Sequence, residues 1–176
     1  MLPELSLHVL DIAMNSVRAG AKLVTIELEE DGALLTIRIR DDGCGMTQEQ
    51  VRAVTDPFFT TRKTRKVGLG VPFFKMAAEL TGGRFSIRSA PGRGTETEAV
   101  FDRSSIDCMP LGDLAETLVT LVQGAPDIDF VYRHTAPGRA PYEFDTRQVR
   151  EALGGDVPLS DPAVLVWMRQ ELEGEA

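Results

Sequence analysis

The first twenty residues space their apolar side chains as one face of a helix requires. Pro3 near the start and Gly20 at the end bound this segment, which predicts an amphipathic helix over 2–20. The polar side chains fall on one narrow stripe, which holds Glu4, His8, Asp11, Asn15 and Arg18. Large apolar residues border that stripe, so we expect it to line a cavity. A solvated polar face explains the helix alone equally well.

The next segments change from a helical period to strict alternation. Residues 22–30 and 34–40 alternate apolar and polar side chains, and the Asp31-Gly32 pair between them is typical of a hairpin turn. Thr47 and Gln50 have the spacing of a capping box. The remaining predicted elements are two helices at 47–54 and 71–80 and a second hairpin over 84–101. This order predicts an α+β fold, a two-layer α/β sandwich in which helices cover one face of an antiparallel-rich sheet.

After residue 102 the pattern changes and no motif can be assigned. Further elements are predicted there, namely helices at 111–125 and 146–153, a possible hairpin over 127–145 and a last helix capped by Asp161. We therefore divide the chain into a first domain, 1–102, and a C-terminal α/β extension, 103–176. The part of the extension around Tyr142 to Trp167 is either a docking surface or packing for the sheet, and packing is the simpler interpretation.

Composition narrows the classes of function. The 176 residues carry a net charge of −8, which argues against unspecific binding to nucleic acid or to an anionic membrane. Two cysteines without a CxxC pair and two histidines make a dedicated zinc site improbable. No apolar run approaches the roughly 20 residues of a membrane span, and no signal peptide is recognisable. A cytoplasmic protein is expected.

The segment "DDGCGM", residues 41–46, is the first candidate for chemistry. A carboxylate at the end of a strand, here Asp41, can accept a hydrogen bond from an exocyclic amine. Gly43 and Gly45 would let a flat ring approach the backbone. Taken alone, the segment is also an ordinary turn. The upstream pair Asp11 and Asn15 and a "GLG" at 68–70 before a helix favour the binding interpretation.

Together these segments resemble the GHKL ATPases, the superfamily of gyrase, Hsp90-type chaperones, histidine kinases and MutL. "DIAMNSVRAGA" resembles the N box, "DDGCGM" the G1 box, "VGLGVPFF" the G2 box and "GRGTETEAVF" the last motif strand. "DPFFTTR" is similar to the F box of histidine kinases. The resemblance covers roughly residues 2–102 and implies the Bergerat fold with ATP and Mg²⁺ as cofactors.

The resemblance also implies roles for individual residues. Asp41 would bind the adenine amine, with a bridging water held by Thr95, and Asn15 would coordinate Mg²⁺. Arg18 would reach the phosphates, as would backbone N–H groups at the start of the helix predicted at 71–80. The remaining nucleotide contacts implied are Gly43, Gly45, Met46, Thr60, Arg62, Lys63, Gly68, Leu69, Gly70 and Val71, of which Thr60, Arg62 and Lys63 belong to a basic lid over 60–67. Pro72 departs from the usual pattern because it removes a backbone donor.

Asp11 stands where the ATPases of this superfamily keep a glutamate that polarises water. Aspartate is one methylene shorter, so hydrolysis would be slow or absent, and a supporting role beside Mg²⁺ is the alternative. His8, one turn earlier, is expected to be a packed or rim histidine.

Three functions remain open from the sequence. The first is a slow ATPase or ATP-driven switch acting on an unidentified partner protein. The second is a kinase acting in trans, similar to anti-sigma factor kinases or to a detached histidine kinase catalytic domain. The third is a nucleotide-sensing adapter without turnover. The N box begins within the first residues, so we expect no phosphoacceptor hairpin, and we expect no transducer domain after residue 102. Nucleic acid and membrane are not expected partners, and a dimer is possible.

Overall fold

The computed structural model describes residues 3–56, 58 and 69–175, and these form one mixed sheet with helices packed on it. The strands are β1 Leu23–Asp31, β2 Leu34–Asp41, β3 Arg84–Ser89, β4 Thr95–Asp102, β5 Asp129–Thr135 and β6 Tyr142–Asp145. The helices are α1 Leu5–Arg18, α2 Gln48–Thr55, α3 Gly70–Leu80, α4 Leu114–Gly124, α5 Thr146–Leu153 and α6 Pro162–Glu175. The predicted α+β two-layer sandwich is confirmed.

Local signals in the sequence start and stop these elements as expected. Gly32 has a φ of +60° and closes the turn between β1 and β2. At α2 the capping box is complete, because the side chains of Thr47 and Gln50 each accept from the other's backbone N–H. At α6 the Asp161 carboxylate accepts from the N–H of Ala163 at 2.9 Å.

Within the described residues the sheet has six strands in the order β3-β4-β2-β1-β5-β6. All neighbours are antiparallel except β1 and β5, which run parallel with Ile26 opposite Tyr132. The predicted hairpin in the extension is confirmed by β5 and β6, which pair antiparallel with Tyr132 opposite Phe144. The extension therefore continues the sheet of the first domain on the β1 side.

The two faces of the sheet differ in chemistry. Under the helices the strands contribute fully buried apolar side chains such as Ile26, Ile37 and Phe101. The opposite face carries a chain of ion pairs of alternating charge with one member from each strand, formed by Arg88, Glu96, Arg40, Glu27, Arg133 and Glu143. Burial on one face and charge on the other fix the register of the sheet.

Helix α1 is tied at its N-terminus to the extension. Its N-cap residue, Glu4, makes no side-chain cap. Instead, the N–H groups of Leu5 and Ser6 donate to the carbonyls of Pro110 and Leu111 at 3.0 and 2.8 Å. Thr117 of α4 donates its hydroxyl to the Ser6 carbonyl at 3.0 Å. The extension thus binds the otherwise unpartnered N–H groups of the first turn.

The polar stripe predicted for α1 is divided between two environments. His8 is fully buried, and its ring stacks on Phe74 of α3 with centroids 5.8 Å apart. It is therefore a packed histidine, one of the two positions expected for it. Asp11 is exposed, whereas Asn15 lies partly buried further along the helix.

Among residues 3–56, 58 and 69–175, no helix combines the length and the apolar character that crossing a bilayer requires.

Candidate functional site

A cavity of about 230 Å³ opens between α1, the start of α3 and the ends of β2, β3 and β4. Several residues that the sequence assigned to a nucleotide site line it, although they lie far apart in the chain. They are Asn15, Arg18, Asp41, Gly45, Met46, Val71 and Thr95. The structure thus brings the N-box helix, the G1 turn, the start of α3 and the start of β4 to one place.

Other side chains that line the cavity had no signal in the sequence. Ile12, Val54 and Ile87 contribute apolar surface, whereas Ser16 and Thr97 contribute hydroxyl groups. Ile87 and Thr97 come from β3 and β4, where they are register partners. Their positions depend on strand pairing, and a local pattern does not encode pairing.

Asp41 is the charged group at the end of β2, and two protein donors hold its carboxylate. Ser16 Oγ donates to Oδ2 at 2.6 Å, and the Gly43 N–H donates to Oδ1 at 2.8 Å. Thr95 is the register partner of Asp41 across β2 and β4. Each carboxylate oxygen has two acceptor positions, so both oxygens retain capacity for a ligand donor.

Asp42, the second acid of the segment, stabilises the fold and does not line the cavity. Its Oδ1 accepts from the backbone N–H groups of Lys22 and Leu23 at 2.7 and 3.0 Å, which fastens the start of β1. Burial alone would raise the pKa of Asp42, but the hydrogen bonds from Leu23 and Lys22 outweigh burial and lower it. The two adjacent acids therefore have separate tasks, because only Asp41 reaches the cavity.

Two glycines interlock the turn after β2 with the turn between β3 and β4. Gly45 has a φ of +70°, and a Cβ there would lie 1.9 Å from the carbonyl oxygen of Ala90. Gly94 has a φ of +74°, and a Cβ there would lie 2.0 Å from the carbonyl oxygen of Asp41. The sequence predicted close approach of a flat ring at Gly45. The structure adds a close approach of the protein's own backbone, which requires glycine on both sides.

Asn15 and Arg18 lie together at the end of α1. Arg18 Nη1 donates to Asn15 Oδ1 at 2.9 Å. Within the part of the chain that is described, no group of three or more His, Cys, Asp and Glu residues could hold a metal ion. A single amide oxygen beside a cavity still suits Mg²⁺, because this ion usually takes few protein ligands and completes its shell with phosphates and water. Asn15 thus fits the role that the resemblance gives it.

Four predicted residues among those described do not line the cavity, although each is one or two positions from a residue that does. They are Asp11, Gly43, Leu69 and Gly70. Leu69 is the N-cap residue of α3 and Gly70 its first residue. A Cβ on Gly70 would lie 3.2 Å from Asp11 Cβ and 3.5 Å from Asp11 Oδ2, so the acid lies against the start of α3.

Pro72 is the third residue of α3. The N–H groups at the first four positions of a helix have no partner within it, so the missing donor costs no helical hydrogen bond.

The predictions for Thr60, Arg62, Lys63 and Gly68, and the lid over 60–67, lie outside the described residues.

A comparison of sequences places this geometry in a family. The model of the family "Histidine kinase-, DNA gyrase B-, and HSP90-like ATPase" matches residues 3–105, more than half of the chain. The chain belongs to this family. The predicted GHKL membership is thereby confirmed, and the matched range contains the whole cavity.

Two curated proteins that resemble this domain are named histidine kinases. The sensor histidine kinase ZraS of Klebsiella oxytoca is 34% identical over 88 residues, which are 48% of this chain and 19% of that protein. The cell-division control histidine kinase PdhS of Brucella anthropi is 26% identical over 113 residues, 57% of this chain and 11% of that protein. The similarity is therefore confined to a small part of each relative.

A solved structure is similar over a longer stretch. The crystal structure of the N-terminal domain of a DNA repair protein has a TM-score of 0.55 and 12% identity, and the match covers 81% of this chain and 52% of that one. This share exceeds the range 3–105 that the family matches, so the likeness in fold continues into the extension.

Proposed function

We propose that this ATPase-family domain binds ATP with Mg²⁺ in the cavity at Asp41 and acts as a slow ATPase or ATP-driven switch on a partner protein. The observation that carries the proposal is the carboxylate of Asp41, which Ser16 and Gly43 hold at the edge of a largely apolar cavity. Few polar groups at fixed positions in an apolar pocket are typical of a small-molecule site.

The purine would lie between the apolar side chains, with its amine toward Asp41. Adenine carries an exocyclic amine that can donate to this carboxylate. Guanine presents a carbonyl oxygen on the corresponding edge. This oxygen and the carboxylate are both acceptors, so no hydrogen bond could form between them. A site that pairs polar groups in this way rejects the wrong partner strongly, so we expect ATP to be preferred over GTP.

The triphosphate would lie near the end of α1 and the start of α3. Asn15 Oδ1 would hold the Mg²⁺, which neutralises phosphate charge when it is bound. Arg18 adds a positive charge on the same side of the cavity. The N–H groups of Gly70 and Val71 stand at the N-terminus of α3, where a helix favours anions.

Turnover would depend on Asp11, which lies against Gly70 on the expected phosphate side. A carboxylate there can orient water toward the terminal phosphate. We expect Asp11→Asn to retain ATP affinity and to lose phosphate release. If this variant released phosphate as fast as the unchanged protein, Asp11 would be excluded as the general base. If the unchanged protein itself released no phosphate, the nucleotide-sensing adapter would be favoured.

The extension is suited to transmit the state of the nucleotide. It contacts α1 through Pro110, Leu111 and Thr117, and α1 carries Asn15 and Arg18 at its other end. We therefore propose residues 103–176 as the part that a partner protein contacts.

A thermal shift experiment tests nucleotide binding. A ligand at about 100 times its dissociation constant stabilises a folded protein by about 2.7 kcal/mol. We expect a clear rise in melting temperature with ADP and Mg²⁺ and a much smaller one with GDP and Mg²⁺. Equal shifts with both would contradict the adenine assignment.

The second candidate function is a kinase acting in trans. The observation that favours it is the similarity to ZraS and PdhS, both of which are named histidine kinases. Incubation of candidate partner proteins with γ-labelled ATP separates the two functions. Label on the partner supports a kinase, whereas label in free phosphate alone supports an ATPase.

A further inference from the structure

The hydrogen bond between Arg18 Nη1 and Asn15 Oδ1 occupies the atom that the proposed function assigns to Mg²⁺. Asn15 is partly buried in α1, and its backbone carbonyl accepts from the Ala19 N–H at 2.9 Å. Arg18 is the last residue of the helix, and its side chain is exposed. The amide is therefore the more buried member of the pair and the guanidinium the more exposed one.

A guanidinium and a divalent cation cannot share this oxygen at low cost. Both carry positive charge, and at contact distance beside a partly apolar cavity their repulsion is only weakly screened. A metal that binds Asn15 Oδ1 therefore displaces Arg18.

We propose that Arg18 and Mg²⁺ bind the amide oxygen of Asn15 alternately, so that Arg18 supplies the positive charge of the metal-free site. This inference rests on the proposed function. Arg18 is a positioning residue in the metal-free state because it holds the Asn15 amide with its oxygen engaged. With Mg²⁺ on the Asn15 amide oxygen, Arg18 would lose this hydrogen bond.

A consequence follows for the metal dependence of nucleotide binding. With Arg18 present, a nucleotide that binds without metal still has a positive charge near it at the end of α1. The affinity for the nucleotide therefore depends only weakly on Mg²⁺. Without Arg18, the metal is the main positive charge left at Asn15. The ratio of the ADP dissociation constants in EDTA and in Mg²⁺ then rises.

Calorimetric titration of the full chain with ADP, in EDTA and in Mg²⁺, tests the proposal. We expect Arg18→Gln to raise the ratio of dissociation constants about tenfold, the scale of one charge-assisted hydrogen bond. Arg18→Lys, which keeps a cation and donors, returns the ratio toward that of the parent. Arg93→Gln is the matched control: Arg93 is an exposed arginine of the β3–β4 turn, its loss removes the same charge, and the ratio should not change.

The outcomes separate this inference from the proposed function. If the unchanged protein binds ADP, and the ratio of dissociation constants in EDTA and in Mg²⁺ rises in Arg18→Gln but not in Arg93→Gln, alternate binding is supported. If the unchanged protein binds ADP and Arg18→Gln has the same ratio, the inference is overturned and nucleotide binding is unaffected. No ADP binding by the parent under either condition overturns both. Melting temperatures of the variants show that each is folded.

Discussion

Ser16 Oγ donates a 2.6 Å hydrogen bond to Asp41 Oδ2 and thereby joins the last turn of α1 to the end of β2. Ser16 is 3% exposed, so water cannot readily replace it. With the Gly43 N–H on the other oxygen, this bond fixes the plane of the carboxylate at the cavity. A fixed acceptor discriminates between ligands, whereas a freely rotating one adapts to them.

Ser16→Ala should weaken the binding of adenine nucleotides. A hydrogen bond of this kind contributes about 1 to 2 kcal/mol, so we expect ADP affinity to fall about 5- to 30-fold and selectivity over GDP to narrow. Titration calorimetry with both nucleotides measures this. Ser6→Ala is the control, because Ser6 is a buried serine of the same helix whose hydroxyl donates to Glu4 away from the cavity. An equal loss in both variants would indicate a general effect on α1.

The sequence carried enough local information to predict the elements and part of the site. The Asp31-Gly32 turn, the capping box at Thr47 and the cap at Asp161 are each encoded within four residues. The strand-end position of Asp41 follows from the alternation that precedes it. Such signals predict where an element begins and ends, and they place a motif residue on it.

Contacts between segments that are distant in the chain could not be predicted from local patterns in the sequence. Ser16 has no local mark that directs it to Asp41, since the two are 25 residues apart. The parallel pairing of β5 with β1 depends on strands about a hundred residues apart, and no turn fixes its register. The constraint on Gly45 comes from the carbonyl of Ala90 in another turn.

The glycines that interlock the two turns should not tolerate a side chain. Gly45→Ala or Gly94→Ala would place a methyl group about 2 Å from a backbone oxygen, so the turns must separate. We expect a loss of unfolding free energy of about 4 kcal/mol or more in urea denaturation. Gly92→Ala is the matched control. Gly92 has a φ of +75° but nothing within 4 Å of a Cβ, so only backbone strain of about 1 to 2 kcal/mol applies. Equal losses at all three positions would contradict the interlock.

Asp42 should contribute stability that depends on pH. Its pKa is lowered in the folded protein, so its contribution is present above the unfolded pKa and is lost as pH falls through the folded pKa. At neutral pH we expect Asp42→Asn to be less stable than the parent. The difference in unfolding free energy between the two proteins should narrow as the pH is lowered below the ordinary pKa of an aspartate. Urea melts of both proteins at neutral and acidic pH measure this difference, and a difference that widens in acid would contradict the assignment.

Removal of the extension should damage the nucleotide site. A chain that ends at Arg103 lacks Pro110, Leu111 and Thr117, which bind the first turn of α1. It also loses β5, the parallel neighbour of β1. We expect this truncated chain to lose cooperative unfolding and measurable ADP binding. A truncated chain that melts cooperatively and binds ADP like the parent would show that residues 1–103 fold alone.

Recognition of adenine by Asp41 is the central claim, and titration calorimetry with ATP and Mg²⁺ on the parent and on Asp41→Asn tests it most directly. Asparagine replaces one carboxylate oxygen with an NH₂ group that cannot accept from the adenine amine, and it removes the negative charge that attracts this amine. We expect saturable binding by the parent and none by Asp41→Asn, with both proteins melting cooperatively. Equal affinity in the two proteins, or no binding by the parent at millimolar ATP, would contradict the claim.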